Sequence, residues 1–116
     1  WVKDGAHINA MGADAEGKQE LDPALVHDAH VVVDDWAQCS HSGEINTVVS
    51  RGEFDEDDVY ATLGEVVTDE APERDDSDIT VFDSTGLAIQ DVVTARIVNS
   101  RGRERDIGTP FELVGV

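Results

Sequence analysis

Ala6-His7-Ile8-Asn9-Ala10-Met11-Gly12-Ala13-Asp14-Ala15-Glu16-Gly17-Lys18-Gln19-Glu20-Leu21-Asp22-Pro23 is the stretch whose reading decides how this chain folds. Its first five residues alternate apolar and polar, as a half-buried strand does. Its end, Asp22-Pro23, reads as an N-cap followed by proline in the first helical position, where the missing N–H costs nothing. Residues 12–21 therefore form a loop that leaves the carboxyl end of a strand and feeds a helix. In open α/β sheets that edge is where ligands sit. Gly12 and Gly17 let the backbone approach a ligand closely, and Asp14 and Lys18 place a carboxylate and an ammonium beside them.

Working outward, residues 23–29 read as a short helix burying Leu25, Val26 and Ala29. Val31-Val32-Val33, closed by Asp34-Asp35, predicts a strand covered on both faces. Strand, helix, strand implies a parallel βαβ unit. Residues 36–41 predict a helical turn ending near Ser42-Gly43. Residues 44–50 predict a helix with Ile45, Val48 and Val49 on one face and Gly52 as its stop. Residues 55–67 predict another helix, acidic at its start, with Val59, Leu63, Val66 and Tyr60 buried. Residues 68–78 form a charged, proline-containing loop. Ile79-Thr80-Val81-Phe82 is a third strand, ending at Asp83-Ser84-Thr85-Gly86. A long helix follows over residues 87–100, carrying Ile89, Val92, Val93, Ala95, Arg96 and Ile97, with Gly102 beyond. Residues 110–114 read as a short edge strand.

The formal charge is -18, from 8 basic against 26 acidic residues, and Lys3 and Lys18 are the only lysines. Strong apolar periodicity excludes a disordered acidic tail. Such a charge argues against nucleic acid and anionic membrane surfaces as partners. It fits a halophilic cytoplasmic protein, because at molar salt the Debye length is only ~3 Å and self-repulsion is screened. No apolar run reaches the length of a membrane span, and no signal-peptide pattern opens the chain. Cys39, alone, suits a reducing cytoplasm. The opening Trp1-Val2-Lys3 lacks an initiator Met, so the chain is expected to be the carboxyl-terminal part of a longer protein.

Three groups of residues invite chemistry. Asp14 is either a general acid/base in a crevice or a turn aspartate bonding its own backbone. Lys18 suits a phosphate or carboxylate, or else is a loop lysine paired with Glu16 or Glu20. Ser84 and Thr85 offer hydroxyls at the start of the long helix, an anion site or simply an N-cap. Metal binding is not expected. Cys39-Ser40-His41, His27 and His30 complete no zinc set, His27 and His30 are expected to flank a helix end on its wet side, and the acidic run from Asp55 has Tyr60 where a calcium loop requires glycine. The chain contains no glycine-rich phosphate loop, nucleophile elbow or basic patch.

Residues 5–14, Gly17-Lys18-Gln19-Glu20-Leu21 and Phe82-Asp83-Ser84-Thr85-Gly86-Leu87-Ala88-Ile89-Gln90-Asp91 resemble the ornithine cyclodeaminase/mu-crystallin family, and within it the archaeal alanine dehydrogenase branch. Gly43-Glu44-Ile45-Asn46 and Gly64-Glu65-Val66 are weaker matches between. The resemblance implies an α/β fold that is the carboxyl-terminal part of a Rossmann-type nicotinamide-binding domain (residues 1–85). A long helix and short strand (residues 86–116) would then return to a second domain for substrate and dimerisation. It implies a homodimeric, NAD-dependent amino-acid dehydrogenase acting on L-alanine, with NADP not excluded. Its alternatives are ornithine cyclodeaminase and a non-catalytic nicotinamide-binding protein of the mu-crystallin kind. Position by position, it makes Asp14 catalytic and in contact with the cofactor. Met11, Gly12 and Ala13 become the backbone beside the nicotinamide, Lys18 and Ser84 cofactor contacts, and Thr85 a substrate neighbour. The family's phosphate fingerprint, its acidic ribose ligand and its substrate-holding basic residues have no counterpart here, so this chain alone is expected to be inactive.

Overall fold

A computed structural model of the chain describes residues 2–109 and 111. Contacts divide it into two units, Trp1–Gly86 and Leu87–Val116. In the first unit four short strands form one parallel sheet: β1 (His7–Ala10), β2 (His30–Val33), β3 (Ala61–Thr62) and β4 (Thr80–Asp83). Their spatial order is β1-β4-β2-β3. The strand latest in sequence thus lies inside the sheet, paired with β1 from His7↔Thr80 to Ala10↔Asp83 and with β2 from His30↔Thr80 to Val33↔Asp83. The β1–helix–β2 unit is parallel, as expected, but β4 separates its two strands.

Local chemistry sets the helices. Asp22 caps α1 (Pro23–Asp28) by accepting the Ala24 amide at 2.9 Å, and Pro23 occupies the first turn. Asp35 caps α2 (Trp36–Ser42) by accepting the Gln38 amide at 2.9 Å, and Gly43 closes it. A short α3 (Asn46–Ser50) follows, and Gly52 turns the chain at φ +70. One sheet face contributes Ala10, Val31, Val33 and Val81 to a core with Val26, Cys39, Ile45, Val48 and Phe54. Fully burying each valine or isoleucine contributes roughly 1.5–3 kcal/mol.

Three expectations are corrected. Val32 is only half-buried, so β2 is covered well on one face alone. On the other face His30 is bonded to Asp78 at 3.0 Å and stacked on Tyr60 with ring centroids 4.3 Å apart, instead of flanking a wet helix end. Residues 55–67 are not one helix. They form a 3-10 turn (Glu56–Asp58), then β3, then α4 (Leu63–Val67), and Val66 is exposed. The free edge of β2 outcompetes the helical pattern: the Tyr60 amide donates to the Val31 carbonyl at 2.9 Å, and Ala61 and Thr62 pair with Val32 and Val33. Asp55 and Thr62 then cap the two short turns on either side.

The second unit contains α5 (Ala88–Glu104). It runs through Gly102 rather than stopping near Ser100. Closure comes later, where Asp106 adopts φ 53 and the Ile107 amide donates to the Gly102 carbonyl at 2.9 Å. The strand expected over residues 110–114 lies, except for Phe111, outside the described residues. Among the described residues no helix is long and apolar enough to cross a membrane.

Candidate functional site

The four described strands are parallel, so β1, β2 and β4 discharge their chains at one edge of the sheet. The Ser84 amide donates to the Ala10 carbonyl at 3.3 Å, and the Asp34 amide to the Asp83 carbonyl at 3.3 Å. The turns that follow β1 and β4 therefore lie side by side at the carboxyl edge, where parallel sheets take their ligands.

In the loop after β1, Met11 is 58% exposed while Ala13 is fully buried and pins the loop to the body of the unit. A Cβ on Gly12 would lie 2.2 Å from a carboxylate oxygen of Glu20, an exposed side chain that would have to swing aside. Asp14 and Lys18 are both exposed and form an ion pair, so the lysine's partner is neither Glu16 nor Glu20. The Lys18 hydrogen bond, followed by its charge, holds the Asp14 carboxyl below the usual carboxylate range.

Behind this loop stand two buried polar side chains. The Asn46 carboxamide donates to the Lys18 carbonyl at 2.7 Å and to the Gly43 carbonyl, and accepts the Gly17 amide at 2.8 Å. Glu44, with no exposed surface, accepts the Glu20 amide at 2.9 Å and the Leu21 amide at 2.7 Å. Burial pushes its carboxyl up, opposed by those two amides. Asp83, equally buried, accepts the amides of Glu44 at 2.9 Å and Ile45 at 3.1 Å. Its carboxyl is pushed up to about 6, chiefly by burial. A Cβ on Gly43 would sit 2.6 Å from both Asp83 carboxylate oxygens, so only glycine allows this approach.

In the turn after β4, Ser84 is 2% exposed and its hydroxyl donates to the Asp34 carboxylate at 2.5 Å while accepting the Gly86 amide at 3.2 Å. It is no N-cap of α5, which begins at Ala88 with Leu87 as the capping position. Thr85, half-buried, donates to the Gln38 side-chain oxygen at 3.0 Å. The Cys39 thiol bonds Asp34 at 3.3 Å and the Asp83 carbonyl at 3.4 Å, and burial pushes its pKa well up, so it is no nucleophile.

The structure thus brings Met11, Gly12, Ala13, Asp14, Lys18, Ser84 and Thr85 to one sheet edge. It adds Asp34, Glu44, Asn46 and Asp83, which the sequence reading did not single out. The available signal was a carboxylate closing or interrupting an apolar run, at Phe82-Asp83 and at Gly43-Glu44-Ile45.

Comparison with known proteins adds independent findings. A model of the family described as ornithine cyclodeaminase/mu-crystallin matches residues 1–106. The chain is 50% identical over 113 residues to an alanine dehydrogenase of Archaeoglobus fulgidus, covering 97% of this chain and 35% of that protein. Its structure superposes with a TM-score of 0.85 on an archaeal alanine dehydrogenase dimer with bound NAD, at 48% identity, covering 98% of this chain and 36% of the other. It superposes with a TM-score of 0.84 on a Thermococcus litoralis Delta(1)-pyrroline-2-carboxylate reductase in complex with NADH and L-proline, at 31% identity and 96% and 35% coverage. The chain therefore spans about a third of the length of the relatives it matches.

Proposed function

The chain belongs to the ornithine cyclodeaminase/mu-crystallin family, and on that premise we propose that its protein is an NAD-dependent dehydrogenase that oxidises L-alanine to pyruvate and ammonia. The observation that carries the reading is the adjacency of the two turns at the carboxyl edge, joined from Ser84 to Ala10. Half-identity to an alanine dehydrogenase supports the choice of substrate. The activity belongs to the whole protein, of which this chain supplies one part. Residues 1–85 would be the later part of the nicotinamide-binding domain. Residues 86–116 would lead back to a second domain that forms the homodimer, a reading supported by the dimeric, NAD-bound relative.

The donor set at this edge fits a dinucleotide. An exposed ammonium on Lys18 suits an anionic ligand, the exposed backbone at Met11 and Gly12 carries no bulk at the second position, and Ser84 and Thr85 stand in the neighbouring turn, the Ser84 hydroxyl already given to Asp34. Bound NAD would supply the acceptor for the hydride that leaves the substrate α-carbon. Met11, Gly12, Ala13, Lys18 and Ser84 would hold and orient it, and Thr85 would adjoin the substrate. Asp14 would take a proton from the substrate ammonium and lose it to solvent, then take one from the water that adds to the resulting imine and return it to the departing nitrogen, so that ammonia and the keto acid leave. Its pairing partner tunes it. Were Lys18 to pair with the anionic cofactor instead, the charge holding the Asp14 carboxyl down would recede and the carboxylate would be a better base.

The test is a side-by-side assay of the full-length protein with L-alanine and L-ornithine, following pyruvate, proline and NADH. Pyruvate and NADH in equal amounts from alanine are expected. Proline from ornithine without net NADH would replace dehydrogenation by cyclodeamination. We read the acidic surface as adaptation to concentrated salt in the cytoplasm, on the strength of the charge of -18.

A further inference from the structure

We infer that Glu44 and Asn46 are positioning residues for the reaction: they fix the loop after β1 at two points and so set where Asp14 and Lys18 stand. The inference rests on the function proposed above. The loop holds itself together poorly, with the Lys18 amide to the Ala15 carbonyl at 3.1 Å as a backbone turn and the Asp14–Lys18 pair lying in solvent. What ties its backbone to the body of the unit is Asn46, at Gly17 and Lys18, and Glu44, at Glu20 and Leu21.

Both side chains suit this task better than they suit a core. Glu44 is fully buried, where an apolar residue would pack without the cost of desolvating a carboxylate. Its acceptor oxygens go to loop amides. Asn46, 3% exposed, meets an amide and a carbonyl of consecutive loop residues with one carboxamide, a task that needs an acceptor and a donor together. Asp83 anchors the pair from behind through the Glu44 and Ile45 amides, at the end of the strand that leads into Ser84. A continuous set of hydrogen bonds therefore runs from β4 to the Asp14 loop, and it fixes the loop relative to the Ser84 turn.

The experiment uses the full-length protein carrying Asn46→Asp, which keeps the acceptor for Gly17 but loses the donor and sets a charge against two carbonyls. Amide hydrogen exchange is read at Gly17, Glu20 and Leu21, and steady-state kinetics are run with NAD and L-alanine. Faster exchange in the loop is expected, with the KM for NAD raised about fivefold or more, kcat lowered about tenfold or more, and the KM for alanine within about twofold. A merely structural role would reduce the amount of active protein and leave both KM values and the loop's exchange as in the wild type; that result overturns the inference. Should Asn46→Asp not fold, Glu44→Leu gives the same readouts, because it fills the same space with no acceptor for the Glu20 and Leu21 amides. Failure of the wild type to oxidise alanine would refute the proposed reaction, while exchange in the variants would still decide whether the clamp exists.

Discussion

The Asp83 carboxylate receives the Glu44 amide at 2.9 Å, and the Glu44 carboxylate reaches on to the amides of Glu20 and Leu21. Two buried acids in series thus connect β4 to the loop after β1. Their partners here are backbone N–H groups, whose bonds to a carboxylate are strong in a low-dielectric interior. Removing one partner from such a chain costs far more than the bond itself, because the rest stays buried without compensation.

Gly43→Ala tests the closeness of this packing. The added methyl would lie 2.6 Å from both Asp83 oxygens and 2.8 Å from the Cys39 Cα, in a place where neither strand nor helix can retreat. Chemical denaturation should show a loss of about 3 kcal/mol, combining overpacking with a broken buried hydrogen bond. Gly17→Ala is the contrast: nothing lies within 4 Å of its Cβ position, so only its φ of +80 resists the change.

The pH dependence of stability should carry the mark of Asp83. Burial raises its carboxyl from 3.8 to about 6, so the folded state holds this proton more tightly than the unfolded chain does. Its contribution is full below pH 3.8, is lost as pH rises through about 6, and is constant above that. Asp14, Glu65 and Asp75, whose carboxyls are lowered, act with the opposite sign. The stability of wild type minus that of Asp83→Asn isolates the first effect. Urea titrations should show this difference shrinking from acid to neutral pH; growth over the same range would reverse the assignment.

Asp14→Asn addresses the chemistry. The side chain is exposed, so the substitution should leave the melting temperature near that of the wild type. In the full-length protein kcat for alanine should fall by about 100-fold or more, the usual scale for a general acid/base. Full activity in this variant would remove Asp14 from the mechanism.

Salt should stabilise the protein well beyond what its few ion pairs would allow. With a charge of -18, self-repulsion opposes compaction in dilute buffer. The melting temperature is expected to climb steeply between low salt and about 1 M KCl, where screening acts over only ~3 Å. A flat or falling response would count against salt adaptation.

Much of this arrangement could be read from residue types. The strand before Met11, the cap at Asp22 and the helix ending at Gly43 all follow from local chemistry, whereas the Asp14 and Ser84 turns lie side by side because β1 pairs with β4. What stayed hidden depended on distant partners. Tyr60, Ala61 and Thr62 carry a helical pattern, and only the open edge of β2 makes them extended. Glu44 looks like a solvated helix start until the loop's amides close over it. Ser84 looks like a cap because nothing nearby in sequence announces Asp34, which is 50 residues away. Local signals fix turns and caps; long-range hydrogen bonds decide which polar groups are interior.

The order β1-β4-β2-β3 also governs how the sheet can be assembled. His7 and Thr80, neighbours across the ladder, are 73 residues apart in the chain, so the β1–β4 ladder forms only after nearly the whole first unit has been made. On a ribosome, β2 and β3 can meet early, but the sheet remains split until the strand around Val81 emerges and slots between its halves. Closing so long a loop late makes the insertion of β4 between β1 and β2 the slow step in assembling these four strands.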